Sequence, residues 1–312
     1  MGSRVLGFGV LMLVLLSGWP FSLGSDGTLN GFVLDGSSVS PAEIRRGGPP
    51  RDGIPALDDP PSVPATGADW PDEARVVGVE IAGQARAYPI AILNWHELAN
   101  DRLGGRPILV SFCPLCGTAM VFDRRVGGRT LRFGVSGLLY QSDLLMFDRE
   151  TESLWSQISA VAVTGAQRDE RLALLRARTT SWGAWRARYP DSTILSRETG
   201  HRRDYGRTPY AGYEQSRQIY FPAPLDSRYH PKMRVVGLRL ADGTARAYPA
   251  EEIRRSGGRV RDRFAGHDVL IEYGGGEQGF VVEAPAVVEV IEGFWFAWMA
   301  FHPESSLYRA NP

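Results

Sequence analysis

The chain carries two cysteines in 312 residues, and both fall in one stretch, Cys113-Pro-Leu-Cys116-Gly117. Ile108 to Phe112 before it reads as a buried strand, and Ala119 to Asp123 after it reads as another. That context separates two meanings of a C-x-x-C pair. In a thioredoxin-like site the motif opens a long helix, whose N-terminal dipole lowers the pKa of the first thiol. Here Gly117 follows the second thiol at once and a strand comes next, which is a poor helix start. The stretch reads instead as a knuckle, a tight turn that aims both sulfurs at one point, as metal ligation requires. No second pair exists for a four-cysteine zinc site, so an ion here needs other ligands. A structural disulfide competes with this reading in an oxidising compartment. So small a loop would gain little from closure and tends to be strained.

Three further residues are candidates to complete the site. His96 lies near the end of a short helix expected over Pro89 to Asn100, with Pro89 near its first turn. Only a tight Gly104-Gly105 turn separates that helix from the knuckle strand. Met120 offers a thioether suited to Cu(I). Asp143 interrupts the apolar stretch of Ser136 to Asp148 and is expected to have a buried partner such as an arginine. It could be a ligand or a general base beside the knuckle. The competing readings are plainer: a hydrogen-bonded core histidine, a packed core methionine and an aspartate holding a turn. His201 to Tyr220, rich in Tyr and Arg, reads either as the lining of a ligand pocket or as a surface loop. There is no phosphate-binding glycine loop, no Ser-centred elbow and no H-E-x-x-H, so the chain gives no nucleotide or flavin signal. The Gly-rich run at Gly274 has no helix pattern behind it.

An internal repeat supplies the elements that must position these groups. Arg75-Val-Val-Gly through Ala-Arg-Ala-Tyr-Pro89 matches Arg234-Val-Val-Gly through Ala-Arg-Ala-Tyr-Pro249. The match continues loosely from Gly104 and Ala265, and the second copy has a glycine-rich run in place of the knuckle, so only the first carries thiols. Each copy reads as strand, Gly turn, strand, short helix, strand. The expected fold is α+β and β-rich, with two related subdomains packed as one unit. Residues 75–200 would hold the first copy and its thiols, 201–233 a Tyr/Arg-rich connection, and 234–312 the second, degenerate copy. Between the copies, Thr130 to Val135, Leu138 to Tyr140, Leu144 to Phe147 and Leu154 to Ile158 read as strands. Ser181 reads as the N-cap of a helix stopped by Pro190. The closing run Val287 to Pro303 reads as strand then strand, with Phe294 to Trp298 in the core. Residues 25–74 hold eight prolines between Pro41 and Pro71, which forbids helix or central strand. Ile54, Leu57 and Trp70 suggest an ordered arm wrapped along the core.

At the N-terminus, Arg4, the apolar run Val5 to Leu16 and small residues at Ser22 to Ser25 read as a signal peptide over residues 1–24. The run is shorter than the ~20 residues a membrane span needs, and no later segment is long and apolar enough. The expected destination is outside the cytoplasm, periplasmic or extracellular. Lys+Arg and Asp+Glu are both 35, for zero net charge, which argues against a nucleic-acid partner. Lys232 is the only lysine. A hydrophobic content of 43% excludes a disordered or fibrous chain.

Taken together, the blocks GGPPRDGIPAL, ARAYPIAILNWHELAND, CPLCGTAMVFDR and FGVSGLLYQSDLLMFDRETESLWSQ resemble the bacterial and archaeal family called domain of unknown function 3179. The resemblance covers almost the whole chain after the leader. It implies a secreted or envelope protein and groups His96 with Cys113 and Cys116, while assigning no activity. The expectation is a secreted or envelope protein that binds a transition metal, copper or zinc, through Cys113, Cys116 and His96, with Asp143 or Met120 completing the set. Thiol–disulfide chemistry by the same pair is the alternative. A third is a module binding a small non-metal ligand, in which the cysteines only brace a turn.

Overall fold

The structure is a computed structural model, and it describes residues 27–275 and 278–310. It is β-rich, with α-helices of six or seven residues each and two single 3-10 turns in the arm, Pro41–Glu43 and Ala65–Gly67. The first copy opens with an antiparallel hairpin, Arg75–Ile81 with Gln84–Pro89. Its turn, Ala82-Gly83, has φ of 52° and 79°, the left-handed pair that matches strand twist. Strand Gln84–Pro89 ends on its proline and helix Ile90–His96 follows. The second copy repeats this order with Arg234–Arg239, Ala245–Pro249 and helix Ala250–Arg255. In both, the proline is the N-cap residue, one position ahead of the expected first turn.

The first helix stops earlier than the sequence pattern suggests. Leu98–Leu103 is a strand, paired residue for residue with Arg106–Cys113 across Gly104-Gly105. A full ladder of backbone hydrogen bonds outweighs the weak helical preference of Leu98 to Asn100. At the C-terminus the expectation of two strands is corrected: Glu289–Phe294 is a strand, but Trp295–Phe301 is a helix. Residues 295–299 are buried, and a helix that is apolar on every side shows no amphipathic period.

Each copy is closed by a strand and helix from later in the chain. Ala177–Ser181 pairs with Arg75–Ile81, and helix Trp182–Arg188 follows. Glu289–Phe294 pairs with Arg234–Arg239, and helix Trp295–Phe301 follows. Trp185 covers Gly78 so closely that a Cβ there would enter its ring, and Trp298 covers Gly237 in the same way. Ser181 caps its helix, its Oγ accepting from the Ala184 N–H.

The largest sheet has nine strands and joins the copies, since Thr118–Asp123 lies between Arg106–Cys113 and Glu289–Phe294. A five-stranded sheet built on Phe133–Tyr140, Asp143–Asp148 and Leu154–Ser156 packs on it through Phe133, Met146 and Trp155. The arm threads between sheets. Ile44–Arg46 pairs with Phe133–Tyr140, Leu57–Asp58 with Leu98–Leu103, and Ser62–Pro64 with Thr193–Leu195. Leu57 and Trp70 are buried, and Ile54 is partly buried against the core. The leader, residues 1–24, lies outside the described residues. Among the described residues, no helix is long and apolar enough to cross a membrane.

Candidate metal centre

The knuckle is the hairpin turn between Arg106–Cys113 and Thr118–Asp123, in which Cys113 faces Thr118. Gly117 takes φ 60°, and a side chain there would meet the ring of Phe294. Glycine satisfies both demands at once. The turn is anchored to the second copy, since the Phe294 N–H donates to the Cys116 carbonyl at 2.8 Å. Both thiols are free and buried, and their sulfurs lie within 4.8 Å of each other.

Asp143 arrives from the five-stranded sheet. It follows a two-residue turn in which Gln141 and Ser142 both take positive φ, 52° and 67°. Neither is a glycine, so the turn is held at some conformational cost. It presents two groups to the knuckle. The Ser142 carbonyl accepts from the Cys116 thiol at 3.3 Å, and Asp143 is 1% exposed beside both sulfurs. Cys113, Cys116 and Asp143 each offer one ligand atom, all within 4.8 Å of one another. One carboxylate oxygen, Oδ2, accepts from the Ile158 N–H at 3.0 Å. The other, Oδ1, is buried without a hydrogen-bond partner among the described residues. The expected arginine partner for Asp143 is therefore corrected: backbone N–H groups and thiols surround it.

The electrostatics of the cluster are those of four acids buried together. Burial pushes the Asp143 carboxyl up to about 7. Burial, and then the neighbouring Asp143, push Glu97 up to about 8. Burial raises both thiols, Cys116 far above the ordinary thiol range. Without a cation each group resists ionising, and each makes ionisation harder for the next. A bound cation reverses that logic for all four.

Glu97 is the residue the sequence reading missed. It follows the first helix at φ 57°, ψ −36°, a region costly for a residue with a Cβ. Its neighbour His96 has both ring nitrogens engaged, with the Pro55 carbonyl at 2.7 Å and the Tyr205 hydroxyl at 2.7 Å. The carbonyl can only accept, so Nδ1 carries the proton and Nε2 accepts from Tyr205. Burial holds its pKa down, to about 4. The three-residue ligand group of the described residues does not include His96, which instead ties the helix to the arm and to the 199–224 segment. Met120 is 1% exposed and packs with Leu98, Phe122 and both cysteines.

The Tyr-rich segment also differs from a simple loop, for it crosses the site as a strap. Tyr213 is 2% exposed in the same core cluster as both cysteines. Burial raises the Tyr210 and Tyr213 hydroxyls well above the ordinary range, with Glu97 and the thiols adding to the effect. The one available signal in the sequence was the density of tyrosines.

The family model described as "Protein of unknown function (DUF3179)" matches residues 51–305, a span that holds the knuckle, Glu97, Asp143 and both copies of the repeat. The chain belongs to the DUF3179 family. Neither a curated protein nor a solved structure matches it. The centre of this DUF3179 chain is thus described by its own geometry: two thiols, one carboxylate with a vacant oxygen, and a second buried carboxyl beside them.

Proposed function

We propose that this protein is an exported transition-metal-binding protein whose ion is held by Cys113, Cys116 and Asp143, with Glu97 as the neighbouring carboxyl. The observation that carries this reading is the three-residue group itself. Its ligand atoms lie within 4.8 Å of one another, and the buried Asp143 Oδ1 has no other partner. An unpaired buried carboxylate oxygen is costly, and a cation is the partner that removes the cost. Two thiolates and a carboxylate make a mixed donor set that suits zinc, while copper in its Cu(I) form would draw on the sulfurs and Met120. Metal binding would release the thiol protons, so affinity rises with pH.

The thiol–disulfide reading has one observation in its favour, two free sulfurs within 4.8 Å of each other. Burial works against it, because the thiolate is the reacting species and both thiols are held protonated. The test is to purify residues 25–312 anaerobically and measure bound zinc and copper against the Cys113→Ser/Cys116→Ser double variant. Stoichiometric metal in the first and none in the second is expected. Equal, negligible metal in both sinks the reading. Export rests on the leader-like residues 1–24, and N-terminal sequencing of the chain recovered from the periplasm or medium tests it.

A further inference from the structure

We propose that Tyr213, carried across the knuckle by the strap of residues 199–224, is a further ligand of the same ion. This rests on the metal reading above and adds a residue to it.

The argument starts from a hydroxyl that the fold does not use. Tyr213 is 2% exposed, and its Oη is buried with no hydrogen-bond partner among the described residues. A buried hydroxyl without a partner weakens a fold, and phenylalanine would fill the same space without the loss. Tyr229 and Tyr248, buried elsewhere, both spend their hydroxyls on carboxylates, Glu252 at 2.6 Å and Asp262 at 2.8 Å. Tyr213 is the exception, and its ring packs in the cluster that contains Cys113 and Cys116. Two further orphaned oxygens of that neighbourhood are Asp143 Oδ1 and the Oε1 of Gln157, whose amide donates to the Ser111 hydroxyl and the Thr118 carbonyl. Of the three, the carboxyl and the phenol can ionise, and with the two sulfurs they make the four donors that a tetrahedral ion takes.

The strap is built to hold this ring in place. Lys232 donates from Nζ to the carbonyls of Ser216 and Gln218 at 2.5 and 2.6 Å. The same ammonium lies 3.8 Å from the centre of the Tyr213 ring, a cation–π contact that fixes the ring. On one flank, the Tyr205 hydroxyl donates to His96, and the Arg207 carbonyl accepts from the Trp95 indole at 3.1 Å. On the other, Ser142 Oγ donates to the Phe221 carbonyl at 2.7 Å, while the Ser142 carbonyl accepts from the Cys116 thiol. One serine therefore fastens both the strap and the knuckle. On metal binding the phenol loses its proton to solvent, as the thiols do.

The test is Tyr213→Phe in the full mature chain, with zinc and with cobalt(II) as probes. Expected are an unchanged or raised melting temperature for the metal-free variant, and a zinc affinity in chelator competition at least about tenfold lower, the loss typical of removing a supporting group at a metal site. Zinc loading of the wild type should also give a phenolate difference absorption that Tyr213→Phe loses and Tyr220→Phe keeps. Unchanged zinc affinity in Tyr213→Phe, or a phenolate signal that survives it, overturns the inference and leaves the three-residue site standing. No metal bound by the wild type overturns the underlying reading instead.

Discussion

The two copies of the repeat share a scaffold and differ where one of them holds thiols. In each, a glycine lies under a tryptophan, Gly78 under Trp185 and Gly237 under Trp298. In each, an aspartate accepts from an arginine and a tyrosine. Asp101 takes Arg86 at 2.6 Å and Tyr88 at 2.7 Å, and Asp262 takes Arg246 and Tyr248, both at 2.8 Å. The same arginine then donates from Nε to a hydroxyl at 3.0 Å, Thr193 in one copy and Ser306 in the other. At the knuckle the resemblance ends. By the alignment of the two copies, Gly274 stands in place of Cys113 and Gly258 in place of Glu97, and the Tyr273 N–H donates to the Gly258 carbonyl as the Phe112 N–H does to that of Glu97. Gly258 takes φ 84° where Glu97 takes 57°. The backbone shape is common property, and the first copy tolerates a glutamate where glycine is the easy choice. That exchange locates the chemistry more sharply than the cysteines alone.

The largest effects are expected where the copies agree. Gly78→Ala and Gly237→Ala should each destabilise by about 3 kcal/mol or more, because the new Cβ enters a tryptophan ring and both backbone and ring must move. Trp185→Ala and Trp298→Ala should cost about 3–5 kcal/mol each as large buried side chains are emptied. Urea melts of the four variants check this. If the second-copy variants melted like wild type while the first-copy ones collapsed, the scaffold would not be shared in any energetic sense.

A smaller, asymmetric effect is expected at the repeated aspartate. The Asp101 side chain is 5% exposed and that of Asp262 is 22%. Removing the charge from the drier network leaves its arginine less well satisfied, so Asp101→Asn should cost about 2–3 kcal/mol. Asp262→Asn should cost about 1 kcal/mol, because water can reach the groups left behind. Equal shifts in melting temperature would break this ordering.

How much of this was legible in the sequence follows from where the information lies along the chain. The knuckle was legible because a glycine-bearing turn between two apolar runs is a local pattern. The hairpin–helix portion of the repeat was legible because Arg75 to Pro89 and Arg234 to Pro249 match with a single extra residue in the second copy's turn. The closing part was not. Its common residues are Trp182, Ala184 and Trp185 against Trp295, Ala297 and Trp298, and the five-stranded sheet in the first copy pushes them far from their hairpin. His96 and Glu97 show a finer limit. They are adjacent, and a single backbone conformation at residue 97, invisible to composition and spacing, decides which of them meets the thiols. Asp143 was found for a partly mistaken reason: an interrupted apolar stretch signals a buried charge but not what answers it.

The smallest effect separates the buried acids of the two copies by pH. In the first, burial and then Asp143 push Glu97 up to about 8. In the second, Glu292 is raised by burial to about 7, with Arg234, Arg75 and Arg178 pulling it back. Either carboxyl holds a proton in the folded protein that the unfolded chain has released. The folded state therefore binds more protons between the ordinary carboxylate range and the raised value, and stability falls as pH climbs through that window. For Glu97 the fall continues to about pH 8, and for Glu292 it ends near 7. His96, held down to about 4, works in the opposite sense: its contribution is present above the ordinary imidazole value and is lost as pH falls toward 4. The metal-free protein should thus be most stable below neutrality. Glu97→Gln should flatten the decline between pH 7 and 8, and Glu292→Gln should leave that interval alone while flattening the decline below it. Zinc should abolish the difference between wild type and Glu97→Gln if the ion pays for the charge on the first copy's acids. Metal-free melting curves for wild type and Glu97→Gln that run parallel from pH 5 to 8 would show that residue 97 does not titrate in the fold, and would remove it from the site.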